Sequence, residues 1–200
     1  MVKNSGIISL VFATNNRHKV REVQEVIGNG IHLLNLRDLG FTGEIPEEQD
    51  TIDGNAAQKA RFIYDRYKIN CFADDTALEI EALNGEPGVY SARYAGDACS
   101  FEDNMKKVLT SMSGAENRDA RFRTVIALVE DGRLLTFQGI IRGTITEEKR
   151  GKNGFGYDPV FLPDGFDRTF AEMEPDEKNR ISHRALAMQK LIAYLTTKYC

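Results

Sequence analysis

Two hundred residues, 42% hydrophobic and 28% charged, make an ordinary globular chain, long enough to hide roughly 70% of its unfolded surface and too apolar to stay disordered. Twenty-six Lys and Arg against 30 Asp and Glu leave a net charge of −4. That balance argues against a dedicated nucleic-acid binder, which carries a basic excess, but leaves room for a small anionic ligand in a local cationic pocket.

A strand is predicted over residues 7–13. It follows Lys3, but at seven residues and with no small-residue cleavage site it reads as a buried strand rather than a signal peptide. A helix follows over 17–27, with Val20, Val23, Val26 and Ile27 on one face and Gly28 as its stop. Residues 31–36 read as a second strand and 37–50 as a loop that turns acidic at Glu44, Glu47, Glu48 and Asp50. A helix is expected over 53–67. A short strand over 71–73 should end at Asp74 and Asp75, and the alternation of Leu78, Ile80 and Ala82 with Glu79 and Glu81 predicts a half-buried strand after it.

The Gly-rich stretch 84–96 leads to Ser100, a suitable N-cap for a helix to Met112. Strands over 121–129 and 134–145 flank Asp131 and Gly132, a hairpin signal. A Gly-rich turn over 151–156, a short strand over 160–162 and a final helix capped by Ser182 and running toward Tyr194 complete the chain. No repeat, low-complexity tract or long linker marks a boundary, so one domain over 1–200 is expected. Helices and strands alternate early and a long hairpin comes late, which points to an α/β protein with a mixed sheet. No run approaches the ~20 apolar residues of a membrane span, so no membrane partner is expected. Cys71, Cys99 and Cys200 lack metal-like spacing and fit a reducing compartment, and with it the cytoplasm.

Four groups carry candidate chemistry. Thr14, Asn15, Asn16, Arg17, His18 and Lys19 lie between a strand and a helix, where unpaired N–H groups suit phosphate; Thr and Asn also cap helices with no ligand present. Asp74 and Asp75 at a strand end suit Mg²⁺, which takes one or two carboxylates plus waters and phosphate oxygens, with Glu47 as a distant partner; a turn-forming Asp74 beside an exposed Asp75 is the plainer alternative. Phe155, Gly156, Tyr157 and Asp158 offer flat faces and acceptors for a base, or aromatics that join the core. Lys178, His183 and Arg184 cluster donors near a helix start, or are solvated charges on a capped helix.

Together these segments resemble the inosine triphosphate pyrophosphatase family. The resemblance rests on residues 12–19 (FATNNRHK), 55–60 (NAAQKA), 73–79 (ADDTALE), 84–96 (NGEPGVYSARYAG), 154–159 (GFGYDP) and 171–184 (AEMEPDEKNRISHR). It implies an elongated mixed sheet with two α/β lobes around a nucleotide cleft, commonly a homodimer, and Mg²⁺-dependent hydrolysis of deaminated purine nucleoside triphosphates (ITP, dITP, XTP) to the monophosphate and pyrophosphate. It further implies that residues 14–19 hold the triphosphate, that Glu47 and Asp75 bind Mg²⁺ and that Asp75 is also the catalytic proton acceptor. Thr76 would contact substrate, Phe155, Gly156, Tyr157 and Asp158 would cradle base and sugar, and Lys178, His183 and Arg184 would complete the pocket.

Thr76-Ala77 stands where the family commonly has Ser-Gly, and residues 46–51 (PEEQDT) stand where it often has PETGDT. Glu47 is aligned by counting eight residues back from Asn55, with Glu48 as the competing choice. Arg184 is expected to donate to the 6-oxygen of hypoxanthine or xanthine, which an adenine amine cannot accept. Two alternatives remain: a pyrophosphatase for modified pyrimidines or methylated nucleotides, and a nucleotide-binding module without turnover.

Overall fold

The computed structural model describes residues 8–96 and 100–199; Lys3, Ile7, Cys99 and Cys200, on which expectations fell, lie outside them. Six strands are hydrogen-bonded in the order β2-β1-β3-β4-β5-β6. They are β1 (Ile8–Phe12), β2 (Ile31–Asn35), β3 (Cys71–Ile80), β4 (Asp119–Glu130), β5 (Arg133–Ile145) and β6 (Phe161–Pro163). Of the described residues, one compact unit comprises 8–75, 124–139 and 184–199, and a second comprises 76–96, 100–123 and 140–183.

In the first unit β1 pairs in parallel with β2, from Ile8 opposite Ile31 to Phe12 opposite Asn35, and with β3 at Val11–Cys71 and Phe12–Phe72. Parallel neighbours need crossovers, and helices α1 (Arg17–Val26) and α2 (Ile52–Tyr67) provide them. The core joins Leu10, Phe12, Val23, Phe72, Ile126, Leu128, Met188 and Leu191. The Phe12 and Phe72 rings stack with centroids 4.5 Å apart. Cys71 packs here as a small apolar residue: burial pushes its thiol up to about 12, so it stays protonated.

In the second unit helix α3 (Phe101–Ser111) sends Met105 and Val108 into a core with Leu78, Ile80, Phe122, Ile145, Phe161 and Phe170. Strands β5 and β6 pair antiparallel there. The hairpin turn between β4 and β5 is the expected one: Asp131 (φ 50°) and Gly132 (φ 79°) both take positive φ. As expected, Ser100 caps α3, in a reciprocal box with Asp103.

Three expectations change. The two strands expected around Asp74 and Asp75 are one ten-residue strand, β3, because cations neutralise the acidic pair and the ladder continues through it. The donor-rich stretch before Ser182 is a helix of its own, α4 (Pro175–Ile181), with Ser182 as its C-cap. The last helix, α5 (His183–Tyr199), runs past Tyr194. Its end is pinned because the buried Glu130 carboxylate accepts from Tyr194 and Tyr199 hydroxyls and from Lys198. Among the described residues no helix is long and apolar enough to cross a membrane.

Candidate active site

At the end of the first unit's part of β3, Asp74 is 1% exposed. Lys19 Nζ donates to its Oδ1 and Arg184 Nε to its Oδ2, both at 3.0 Å. Burial alone would raise this carboxyl, but Lys19, Arg184 and Lys59 outweigh it and hold Asp74 well below the usual carboxylate range. Burial also pulls Lys19 below its ordinary value, with Asp74 opposing. A second Arg184 nitrogen, Nη1, donates to Glu22 of α1. Arg184 thus takes two carboxylates while 2% exposed.

Asp75 meets Glu47 at a residue that sequence reasoning did not single out. Lys59 Nζ donates to Glu47 Oε1 and lies 3.5 Å from Asp75 Oδ1. Helix α2 sets this up. The Asn55 side-chain Oδ1 accepts the Gln49 N–H at 2.9 Å, the Gln58 side-chain Oε1 accepts the Glu48 N–H at 3.0 Å, and a Cβ on Gly54 would lie 2.7 Å from that of Gln49. The acidic loop is therefore laced onto α2 one turn before Lys59, with Glu47 turned to the ammonium and Glu48 to Gln58. This geometry favours Glu47 over Glu48. The signal was present in the segment 55–60, where a lysine four residues after a buried Asn projects from the same helix face.

Glu22, Glu47, Asp74 and Asp75 thus meet Lys19, Lys59 and Arg184 in one cluster. At Asp75 burial lifts the carboxyl, Glu47 and Asp74 add to the lift, and Lys59 and Lys19 offset only part of it. Burial would likewise depress Lys59, but Asp75, Glu47 and Asp74 hold its ammonium above its ordinary value. Two carboxylates sharing one buried cation position fit a divalent ion. Among the described residues no three His, Cys, Asp or Glu side chains converge. A divalent ion held by two carboxylates would keep waters and take oxygens from a ligand.

Around the start of α1 the polar groups largely serve each other. Asn16 caps the helix, its Oδ1 accepting the His18 and Lys19 N–H groups, and Thr14 Oγ1 accepts the Asn16 N–H. Asn15 donates to the Gly43 carbonyl, and Arg17 and His18 are exposed. Lys19 is the member of this group that reaches the acidic cluster.

The second unit holds the rest of the expected residues. Gly151 (φ +83°) lets the loop lie against the chain at Ala171, whose carbonyl accepts the Lys152 and Asn153 N–H groups at 3.0 Å. Asp158 Oδ2 accepts the Phe155 N–H at 2.8 Å and the Lys178 ammonium at 2.5 Å, with Asp158 3% and Lys178 5% exposed. Lys178 also lies 5.2 Å from the Phe155 ring centre and 5.5 Å from that of Phe170. Phe155 is half-buried, and Gly156 takes φ +64°.

Three side chains expected in the pocket have packing or ion-pair partners of their own. Tyr157 packs in the core, and its hydroxyl donates to the Ser91 carbonyl at 2.8 Å, so its ring offers no free face to a base. His183 is 4% exposed and stacks on Phe122 at 4.6 Å. Arg184, expected to read a base oxygen, has Nε and Nη1 committed to Asp74 and Glu22. Thr76 is half-buried next to Asp75 in the chain. The segment 84–96, which no role had absorbed, buttresses this loop: Ser91 Oγ accepts the Leu78 N–H, and Asn104 of α3 bonds to Ala92 and Ala95.

The fold is a mixed α/β sheet with a charged cluster midway along the buried strand β3. The chain belongs to the Ham1 family, whose model matches residues 10–194. It is 51% identical to a dITP/XTP pyrophosphatase of Flavobacterium johnsoniae over 189 residues, covering 94% of this chain and 98% of that protein. It is 49% identical to one from Porphyromonas gingivalis, covering 93% and 96%. Among solved structures, the Staphylococcus aureus Ham1 protein superimposes with a TM-score of 0.87 at 37% identity, covering 95% of this chain and 99% of that one.

Asp74 and Asp75 should act on stability with opposite signs in metal-free protein. Asp74 contributes above its unfolded pKa and loses that contribution as pH falls through its lower folded value; Asp75, raised on folding, penalises the native state increasingly as pH rises through its folded value. At pH 7, Asp74→Asn should lower unfolding free energy by about 3–5 kcal/mol, leaving buried cations underpaired, whereas Asp75→Asn should raise it, with that gain vanishing in acid. Urea melts of EDTA-treated protein check both, and equal signs would contradict the geometry. Gly154 has φ +74°, and a Cβ there would lie 2.0 Å from Asp158 Oδ2. Gly154→Ala should therefore displace Asp158 from Lys178 and weaken nucleotide binding, read as a raised KM.

Proposed function

We propose that the chain is a nucleoside triphosphate pyrophosphohydrolase that, with Mg²⁺, converts the deaminated purine nucleotides ITP, dITP and XTP to the monophosphate and pyrophosphate. The observation that carries this reading is the meeting of Glu47 and Asp75 at Lys59. It is supported by the names of relatives about half identical over nearly the whole chain.

Glu47 and Asp75 would hold the cation. When bound, it supplies charge neutralisation on the phosphates and lowers the pKa of nearby water. Asp75, already inclined to take up a proton, orients the attacking water and accepts its proton at a carboxylate oxygen. Lys19, with residues 14–18 around the start of α1, receives the phosphates and offsets charge on the departing pyrophosphate. Arg184 keeps Asp74 ionised next to that charge. Phe155 receives the nucleobase, and Asp158 and Lys178 fix the loop that presents it; Thr76, Gly156, Tyr157 and His183 support the second unit's residues through backbone and packing. The chain would act as one domain, assemble as a homodimer and work on the nucleotide pool of the cytoplasm.

The test is a panel of ITP, XTP, dITP, ATP, GTP, dUTP and methyl-UTP with Mg²⁺, scored for pyrophosphate. Turnover of the deaminated purines at least about tenfold above ATP is expected, and Asp75→Asn should reduce it by about 10²-fold or more. Orthophosphate as the direct product, or preference for dUTP or methyl-UTP, would overturn the reading.

A further inference from the structure

Phe101 is the first residue of α3, and its place is fixed by the capping box: Ser100 Oγ accepts the Asp103 N–H, and Asp103 Oδ2 accepts the Ser100 N–H. The side chain is 41% exposed, so core packing gives no full account of a phenylalanine there. Its ring faces Phe155, with centroids 5.9 Å apart and planes tilted by 49°, within the range of a favourable edge contact. The next residue, Glu102, pairs with Lys149 at 2.5 Å. The first turn of α3 thus touches both the lead-in to the 151–158 loop and its aromatic residue.

Phe155 needs such a neighbour. It lies between Gly154 and Gly156, both at positive φ, in backbone that has little stiffness of its own. Asp158 fixes its N–H, the Lys178 ammonium lies by its ring, and the Phe101 ring adds an apolar surface against which it can rest. We infer that Phe101 is a positioning residue that holds the Phe155 ring and walls the outer edge of the position taken by a flat, bicyclic nucleobase. The inference rests on the reading that Phe155 receives the base.

The sequence holds no tryptophan, so Phe101→Trp places a single emitter at this wall. Its emission should shift or quench on saturation with IMP and not with pyrophosphate. Phe101→Ala should raise KM for ITP about three- to tenfold while kcat stays within about twofold and Tm within about 2 °C, since the residue is half exposed. Phe101→Tyr should recover most of the lost KM. An unchanged KM in Phe101→Ala, a joint fall of kcat and Tm, or a tryptophan blind to saturating IMP would each overturn the inference. If the parent chain releases no pyrophosphate from ITP, the proposed function fails, and the emission response to IMP still decides the role of Phe101.

Discussion

An ionised carboxylate with no access to water persists only where cations replace its hydration. Asp74 is in that position, and Lys19 and Arg184 meet its two oxygens. One consequence is architectural. Lys19 comes from α1, Asp74 from β3 and Arg184 from α5, so a single charge fixes three elements far apart in sequence. Arg184 in turn draws Glu22 of α1 into the same network. A second consequence is that β3 need not stop at its acids: its ladder runs on to Ile80.

The same compensation decides the chemistry one residue later. Asp75 lies by Lys59, which it shares with Glu47. Burial and two neighbouring carboxylates raise the Asp75 carboxyl above its ordinary value. Adjacent residues thus take opposite character, Asp74 held firmly ionised and Asp75 raised. The acidic loop contributes Glu47 only because Asn55 and Gln58 bind its backbone to α2.

Much of this was legible in the sequence. Apolar spacing placed α1 and α2, Ser100 as a cap placed α3, the Asp131-Gly132 pair placed the hairpin, and the motif segments carried the family resemblance that residues 10–194 bear out. What was not legible is pairwise. An acidic pair reads as a strand end because its cations, at positions 19 and 184, are invisible to local pattern. Lys59 looks like any helix lysine until the loop before α2 folds back on it. Tyr157 and His183 have the chemistry of ligand contacts, yet burial among Phe122, Phe161 and Phe170 assigns their rings to packing. Arg184 looked like a free donor because its two carboxylates, Glu22 and Asp74, lie over a hundred residues earlier.

The account turns on Glu47 and Asp75 forming one cation position where Lys59 now sits. Calorimetric titration of Mg²⁺ into EDTA-treated protein, beside the Glu47→Gln variant, tests this most directly. One ion per chain, bound about tenfold or more weakly by Glu47→Gln, is the predicted result. Equal affinity in the two proteins, or no binding to the parent in the presence of a nucleotide ligand, would contradict it.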